Sequence, residues 1–120
     1  MGCTDVKILK VKHKKVTASS VAKLKDDLVD HSRRVYKTLE TLLNKERKLD
    51  VDRYSVDYSV QDRTMTIEVE LVNGLDELAD MTVTRIIKQA GKKYGYNFNV
   101  SKHVIGETTL FTATAHYSDY

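Results

Sequence analysis

Between Tyr54 and Tyr117 the spacing of apolar residues changes period twice, and this ordered change restricts the fold more than any single residue does. Tyr54, Val56, Tyr58, Val60 and then Met65, Ile67, Val69, Leu71 fall on every second position, with Ser, Asp, Thr or Glu between them. Such alternation marks strands with one wet face. From Leu75 the period lengthens to that of a helix, with Leu75, Leu78, Ala79, Met81, Val83, Ile86, Ile87 and Ala90 gathered mostly on one side. Tyr96, Phe98 and Val100, and then Leu110 to Tyr117, return to alternation. Two hairpins separated by a helix must bury one sheet face beneath helices.

Upstream, the chain reads as one strand and one long helix. Val6 to Val16 is expected to be a first strand, with Val6, Ile8, Leu9 and Val11 apolar and a break in alternation that suggests a bulge. Thr17, Ser19 or Ser20 is placed to cap the next helix, because a short hydroxyl side chain accepts a bond from the free amides of a first turn. That helix runs to about Lys48 on a stripe of Val21, Leu24, Leu28, Val35, Leu39, Leu42 and Leu43, interrupted at His31 and Ser32. Asp26, Asp27 and Asp30 early, with Lys45, Arg47 and Lys48 late, suit the helix dipole. At 1.5 Å per residue it would be ~42 Å long, more than a domain of this size is wide. Part of it must overhang or meet another subunit. His31 reads as a partly exposed break in the stripe, so His31→Leu is expected to be near neutral and Leu28→Ala to cost roughly 2–5 kcal/mol.

The second helix is expected from Asn73 or Gly74, with Asp76 and Glu77 in its first turn, to Lys92, Lys93, Tyr94 and Gly95 at its end. Gln61, Asp62, Arg63 and Ile105, Gly106, Glu107 supply the hairpin turns. The whole is a single α+β domain over residues 1–120. Its architecture is a two-layer sandwich of order β-α-ββ-α-ββ, with a mainly antiparallel sheet and two helices on one face. The tyrosines Tyr54 and Tyr58 are expected to pack under those helices.

Charge is distributed unevenly. Residues 1–50 hold 13 Lys and Arg against 7 Asp and Glu, a net of +6, whereas residues 51–120 hold 7 against 10, a net of −3. Lys7, Lys10, Lys12, Lys14, Lys15, Lys23 and Lys25 fall within residues 6–25 without one acid. Three readings fit such a cluster: a solvated edge strand kept from aggregating by its lysines, a surface for an acidic protein or sister subunit, or one for nucleic acid. Lys7, Lys10, Lys12, Lys14 and Lys15 are the candidate partner-binding residues. For nucleic acid the candidates are Arg33, Arg34 and Lys37 on the first helix and Arg85, Lys88 and Lys92 on the second, with Tyr94 and Tyr96 as stacking groups. No RNA-binding aromatic motif, KH loop or helix-turn-helix spacing accompanies them.

Enzyme chemistry finds little support. Cys3 is alone and close to the start of the chain, which excludes an internal disulfide and argues against a pocketed nucleophile. His13, His31, His103 and His116 are scattered without metal-ligand spacing, although His103 and His116 could face one another across the last hairpin. The pairs Asp26/Asp30 and Asp76/Asp80 each share a helix face, but both read as first-turn acids satisfying the dipole. Gly91 and Gly95 read as a C-terminal cap, and no phosphate-cradling loop or nucleophile elbow occurs. We therefore expect no enzyme, no cofactor and no metal. No run approaches the ~18 apolar residues of a membrane span, and a single cysteine suits a reducing compartment, so the expected location is cytoplasmic or virion-associated.

The order helix, hairpin, helix, hairpin over about residues 20–118 resembles the tail-terminator and tail-completion proteins of long-tailed bacteriophages, in topology and not through a motif. The resemblance implies a small viral structural protein that forms rings of identical subunits. Together with the overlong helix and opposed charges it gives the expectation of a non-enzymatic assembly or protein-binding module, a homo-oligomer or the binder of an acidic protein surface. The alternatives are a small phage-encoded inhibitor of a host protein and a nucleic-acid-binding α/β module.

Overall fold

A computed structural model describes residues 18–72 and 77–117. The expected first strand, with Lys7, Lys10, Lys12, Lys14 and Lys15, lies outside the described residues, as do Asn73 to Asp76. In chain order the elements are α1 (Ala18–Lys45), β1 (Val51–Ser59), β2 (Thr64–Val72), α2 (Glu77–Lys92), β3 (Asn99–Ile105) and β4 (Thr108–His116). The strands form one sheet of order β1-β2-β4-β3 in which every neighbouring pair is antiparallel. The described part of the chain is thus α-ββ-α-ββ, in the order the periodicity predicts.

The register explains why one face is dry. Partners across an antiparallel ladder point to the same side, so Val56, Ile67, Ala113 and Val100 form one inward row, and Tyr54, Val69, Phe111 and Lys102 the next. Met65, Ile67, Val69 and Leu71 of β2 and Phe111, Ala113 and Ala115 of β4 are buried, because these central strands are flanked on both sides and covered by the helices. Ser55, Glu68, Thr112 and Ser101 make an alternate row on the wet face. From the helix layer, Leu28, Val35, Leu39 and Leu43 of α1 and Val83, Ile86, Ile87 and Ala90 of α2 complete the core. Each such side chain contributes about 1.5–3 kcal/mol relative to an exposed one.

The end of α2 shows a close fit. Gly95 has φ 85°, its amide bonds the Lys92 carbonyl at 3.1 Å and the Tyr96 amide bonds the Gly91 carbonyl at 2.9 Å, which is the Schellman closure of a helix. Gly91 is a contact residue and not only part of the cap. A β-carbon there would lie 2.2 Å from the Phe98 ring, so the absence of a side chain lets Phe98, 3% exposed, close over the helix.

Several expectations need correction. The helix α1 stops at Lys45, not Lys48, as the Glu46 amide turns back to the Leu43 carbonyl at 3.1 Å. Ser19 and Ser20 fall inside α1, so neither is its cap. The first turn of α1 carries no acid. Asp26, Asp27 and Asp30 sit turns later; Asp27 bonds Tyr117 and Asp30 pairs with Arg34, in place of a dipole role. Tyr58 falls in the inward row with Met65 and Ala115, but at 38% exposed it stays outside the core, whereas Tyr54 on the same strand packs against that core. Leu78 and Met81 are 69% and 64% exposed, not in the core. Tyr96 and Phe98 are buried but precede β3.

Candidate functional site

The two sheet edges differ in how they are guarded. Along β1 lie Asp52, Arg53 and Asp57, with a bulge between Val51 and Arg53, and charge and bulges are both means by which edge strands refuse further pairing. On β3 every residue but Val100 is exposed, there is no bulge in its pairing with β4, and the one lysine, Lys102, faces the helix side. An inward lysine guards an edge while its charge is bare. Here Asp80 of α2 takes up that charge in a side-chain ion pair. Among the described residues no strand pairs with the outer side of β3, so the edge presents seven residues of backbone with little to repel another strand.

Beside this edge lies an open cleft of about 450 Å³ between α2 and β3, lined by Asp80, Met81, Thr84, Lys102 and Phe111 among others. Met81 stands exposed on its helix rim, while Val104, at 49%, and Ile105, at 69%, leave apolar surface on β3 itself. Within the cleft, Asp80 Oδ1 is buried and has no hydrogen-bond partner among the described residues. An unpaired buried carboxylate oxygen costs free energy until a donor reaches it. The surface thus offers backbone pairing, apolar contact and one waiting acceptor.

The basic helix residues named from sequence are all exposed, and one of them, Arg85, also lines the cleft beside β3. Arg33, Arg34 and Lys37 belong to α1 and Arg85, Lys88 and Lys92 to α2. Arg34 is paired with Asp30 at 3.0 Å, and Arg85 lies 3.9 Å from Glu46. Of the two stacking groups named with them, Tyr96 is buried and not available. Tyr96 is 3% exposed with its hydroxyl 2.7 Å from His31 Nδ1, and Tyr94 is half-buried with its hydroxyl 3.1 Å from Thr38 Oγ1. Both rings join α1 to the end of α2.

The histidine pairing is also overturned. His103 is opposite Leu110 and His116 is opposite Thr64, because β4 extends past the start of β3 to pair with β2. Among the described residues no group of three His, Cys, Asp or Glu side chains is placed to hold a metal ion. Asp80 lies in the first turn of α2 and pairs with Lys102, while Asp76 lies outside the described residues.

Sequence reasoning missed a polar cluster at the opposite end of α1. Tyr117 donates to Asp27 Oδ2 at 2.6 Å, and the His31 and Tyr117 rings stack with centroids 6.4 Å apart. The Tyr117 bond, with Lys23 second, holds the Asp27 carboxyl below the ordinary carboxylate value. Burial, with a smaller push from Asp27, raises the Tyr96 hydroxyl to about 12. These groups are bonded to each other across α1, β4 and the segment before β3, so they serve as a clamp. Nothing in the spacing of residues 27, 31, 96 and 117 could have signalled them. No protein-family model matches the chain, and no curated protein matches it. Among the described residues, no helix is long and apolar enough to cross a membrane.

Proposed function

We propose that this chain is a non-enzymatic assembly module that binds through the open edge of its sheet. The observation that carries this reading is β3: an edge strand with no outer pairing partner among the described residues, its lysine neutralised by Asp80, its own Val104 and Ile105 exposed and Met81 of α2 exposed beside it. Apolar surface beside an unpaired strand is costly to leave in water, and proteins that keep such an edge use it for pairing. A 28-residue α1 supports association as well, since Leu28 is its first fully buried side chain among the described residues and Val21 is 41% exposed. The partner is a second copy of the chain, as a ring-forming viral structural protein would require.

Light scattering at two protein concentrations and two salt levels tests this reading. Under it the mass rises with concentration, and the double variant Met81→Asp, Val104→Asp stays monomeric with an unchanged circular dichroism spectrum. A wild-type monomer throughout would overturn it. The basic residues on both helices favour a second reading, nucleic-acid binding, for which a gel shift with random DNA and RNA is the direct test.

A further inference from the structure

We propose that the furrow between α1 and α2 seats the phosphate backbone of a nucleic-acid strand; this rests on the second reading above and is separate from the contact at β3. Two contacts set how the helices lie. Arg85 of α2 is 3.9 Å from Glu46, just past the end of α1, and Thr38 Oγ1 of α1 is 3.1 Å from the Tyr94 hydroxyl, just past the end of α2. The helices therefore run antiparallel, and the open furrow between them, about 400 Å³, is lined by Thr38, Leu42, Gln89, Lys92 and Lys93 without a carboxylate. Residues 33–45 and 85–93 together hold eight Lys and Arg against one acid, a net of +7. That acid, Glu40, accepts from the Tyr54 hydroxyl of β1 at 3.1 Å, on the other flank of α1. Among the described residues Lys37, Lys45, Lys88, Lys92 and Lys93 form no ion pair.

Lysines in the last turn of a helix often serve its bare carbonyls. Here the carbonyls of Gln89, Gly91 and Lys92 already accept backbone amides, from Lys93, Tyr96 and Gly95, which leaves the Lys92 and Lys93 ammonium groups to solvent or a ligand. Lys93 is held over the Tyr94 ring, 5.7 Å from its centroid. In the Thr38–Tyr94 pair either oxygen can donate, so one hydroxyl hydrogen remains for an acceptor from outside. Two cations, an amide and a hydroxyl around one furrow match the oxygens of a phosphate diester. Further cations stand in rows for the neighbouring phosphates. Arg85, Lys88 and Lys92 lie ~4.5 and ~6 Å apart along α2, and Lys37 and Lys45 ~12 Å apart along α1, at about 1.5 Å per residue. Composition favours nucleic acid over an acidic protein. Protein contacts centre on an apolar patch, and none of the large exposed apolar side chains among the described residues lines the furrow. Surfaces for nucleic acid are polar and cationic instead.

Fluorescence anisotropy with a short labelled single strand of mixed sequence, as DNA and as RNA, tests this on the full-length chain over a series of salt concentrations. Lys92→Gln with Lys93→Gln removes the charge lining the furrow, and Lys25→Gln with Arg53→Gln removes as much from the first half of α1 and from β1. The furrow pair is expected to bind about tenfold more weakly, with a salt slope shallower by about 1.4 for two lost phosphate contacts, and the control pair to stay within about twofold of wild type. All four side chains are exposed, so both variants should keep the wild-type circular dichroism spectrum; Lys37→Gln with Lys88→Gln, from the exposed rows, should repeat the loss independently. Equal weakening by the furrow and control pairs would overturn the proposal in favour of net charge alone. Wild-type binding by both the furrow pair and the row pair would overturn it and leave the nucleic-acid reading to another surface. Competition by polyglutamate as strong as by unlabelled strand at equal charge would overturn it in favour of an acidic protein. Absence of binding by the wild-type chain at low salt would overturn this inference and the nucleic-acid reading together, with the assembly reading untouched.

Discussion

His31 Nδ1 and the Tyr96 hydroxyl oxygen lie 2.7 Å apart although 65 residues separate them in the chain. Tyr96 is 3% exposed and its ring meets His31 edge to face at 5.6 Å. The bond is what allows a buried phenol to sit between α1 and the start of β3.

Replacing His31 by Leu therefore leaves that hydroxyl without its partner, and the expectation of a neutral or stabilising change is reversed. We expect a loss of about 1–3 kcal/mol, the cost of an orphaned buried donor. Adding Tyr96→Phe to His31→Leu should recover much of the loss, and a double-mutant cycle by urea denaturation measures the coupling. A coupling near zero would contradict the bond's importance.

Along α1, Leu28 and Val21 belong to the same sequence stripe but to different environments, 0% and 41% exposed. Leu28→Ala should cost roughly 2–5 kcal/mol. Val21→Ala should shift stability by less than about 0.5 kcal/mol, as surface changes usually do. Equal losses in urea would mean that both ends of α1 are packed in solution.

Alanine for glycine should have the opposite sign to helix propensity at Gly91. A helical Gly→Ala change usually gains up to ~1 kcal/mol, but here the new β-carbon would meet the Phe98 ring at 2.2 Å. Overpacking of that kind costs about 1–3 kcal/mol. Gly95→Ala meets no neighbour within 4 Å but must hold φ near 85°, costing about 1 kcal/mol through backbone strain alone. Thermal denaturation followed by circular dichroism ranks the two.

Stability should fall at both ends of the pH range for different reasons. The Tyr96 hydroxyl, raised from 10 to about 12 by burial, keeps its proton in the folded chain after the unfolded chain has lost it. The folded state then binds more protons, so stability declines between pH 10 and pH 12, by on the order of 2–3 kcal/mol for a shift of this size. Asp27, lowered from 3.8 chiefly by Tyr117, acts in reverse: its contribution is complete above 3.8 and lost as pH falls through the folded value. Tyr96→Phe should flatten the alkaline limb, and Tyr117→Phe the acid limb, in denaturation followed by circular dichroism.

Much of the fold was legible because it is periodic. The alternation in Met65–Leu71 and the stripe Val83, Ile86, Ile87, Ala90 predict which faces are buried, and those residues are in the core. Met81 was misread because it lies only two residues from Val83, about 200° around the helix, and so faces the other way. Which strand forms an edge was not legible, since hairpin order leaves open whether β3 or β4 pairs with β2. That choice decides the site: with β4 inside, β3 is bare, Lys102 meets Asp80, and His103 and His116 are parted. The clamp of Asp27, His31, Tyr96 and Tyr117 is a contact between distant segments, for which a single sequence carries no local signal.

The central proposal is that copies of this chain associate, with Lys10, Lys12 and Lys14 among its candidate partner-binding residues. Sedimentation velocity on the full-length chain and on the triple variant Lys10→Glu, Lys12→Glu, Lys14→Glu, at low and high salt, tests it most directly. We predict a wild-type oligomer that weakens with salt and a triple variant that is monomeric with an unchanged circular dichroism spectrum. An oligomer of the same size in both chains, or a monomeric wild type at every concentration, would contradict it.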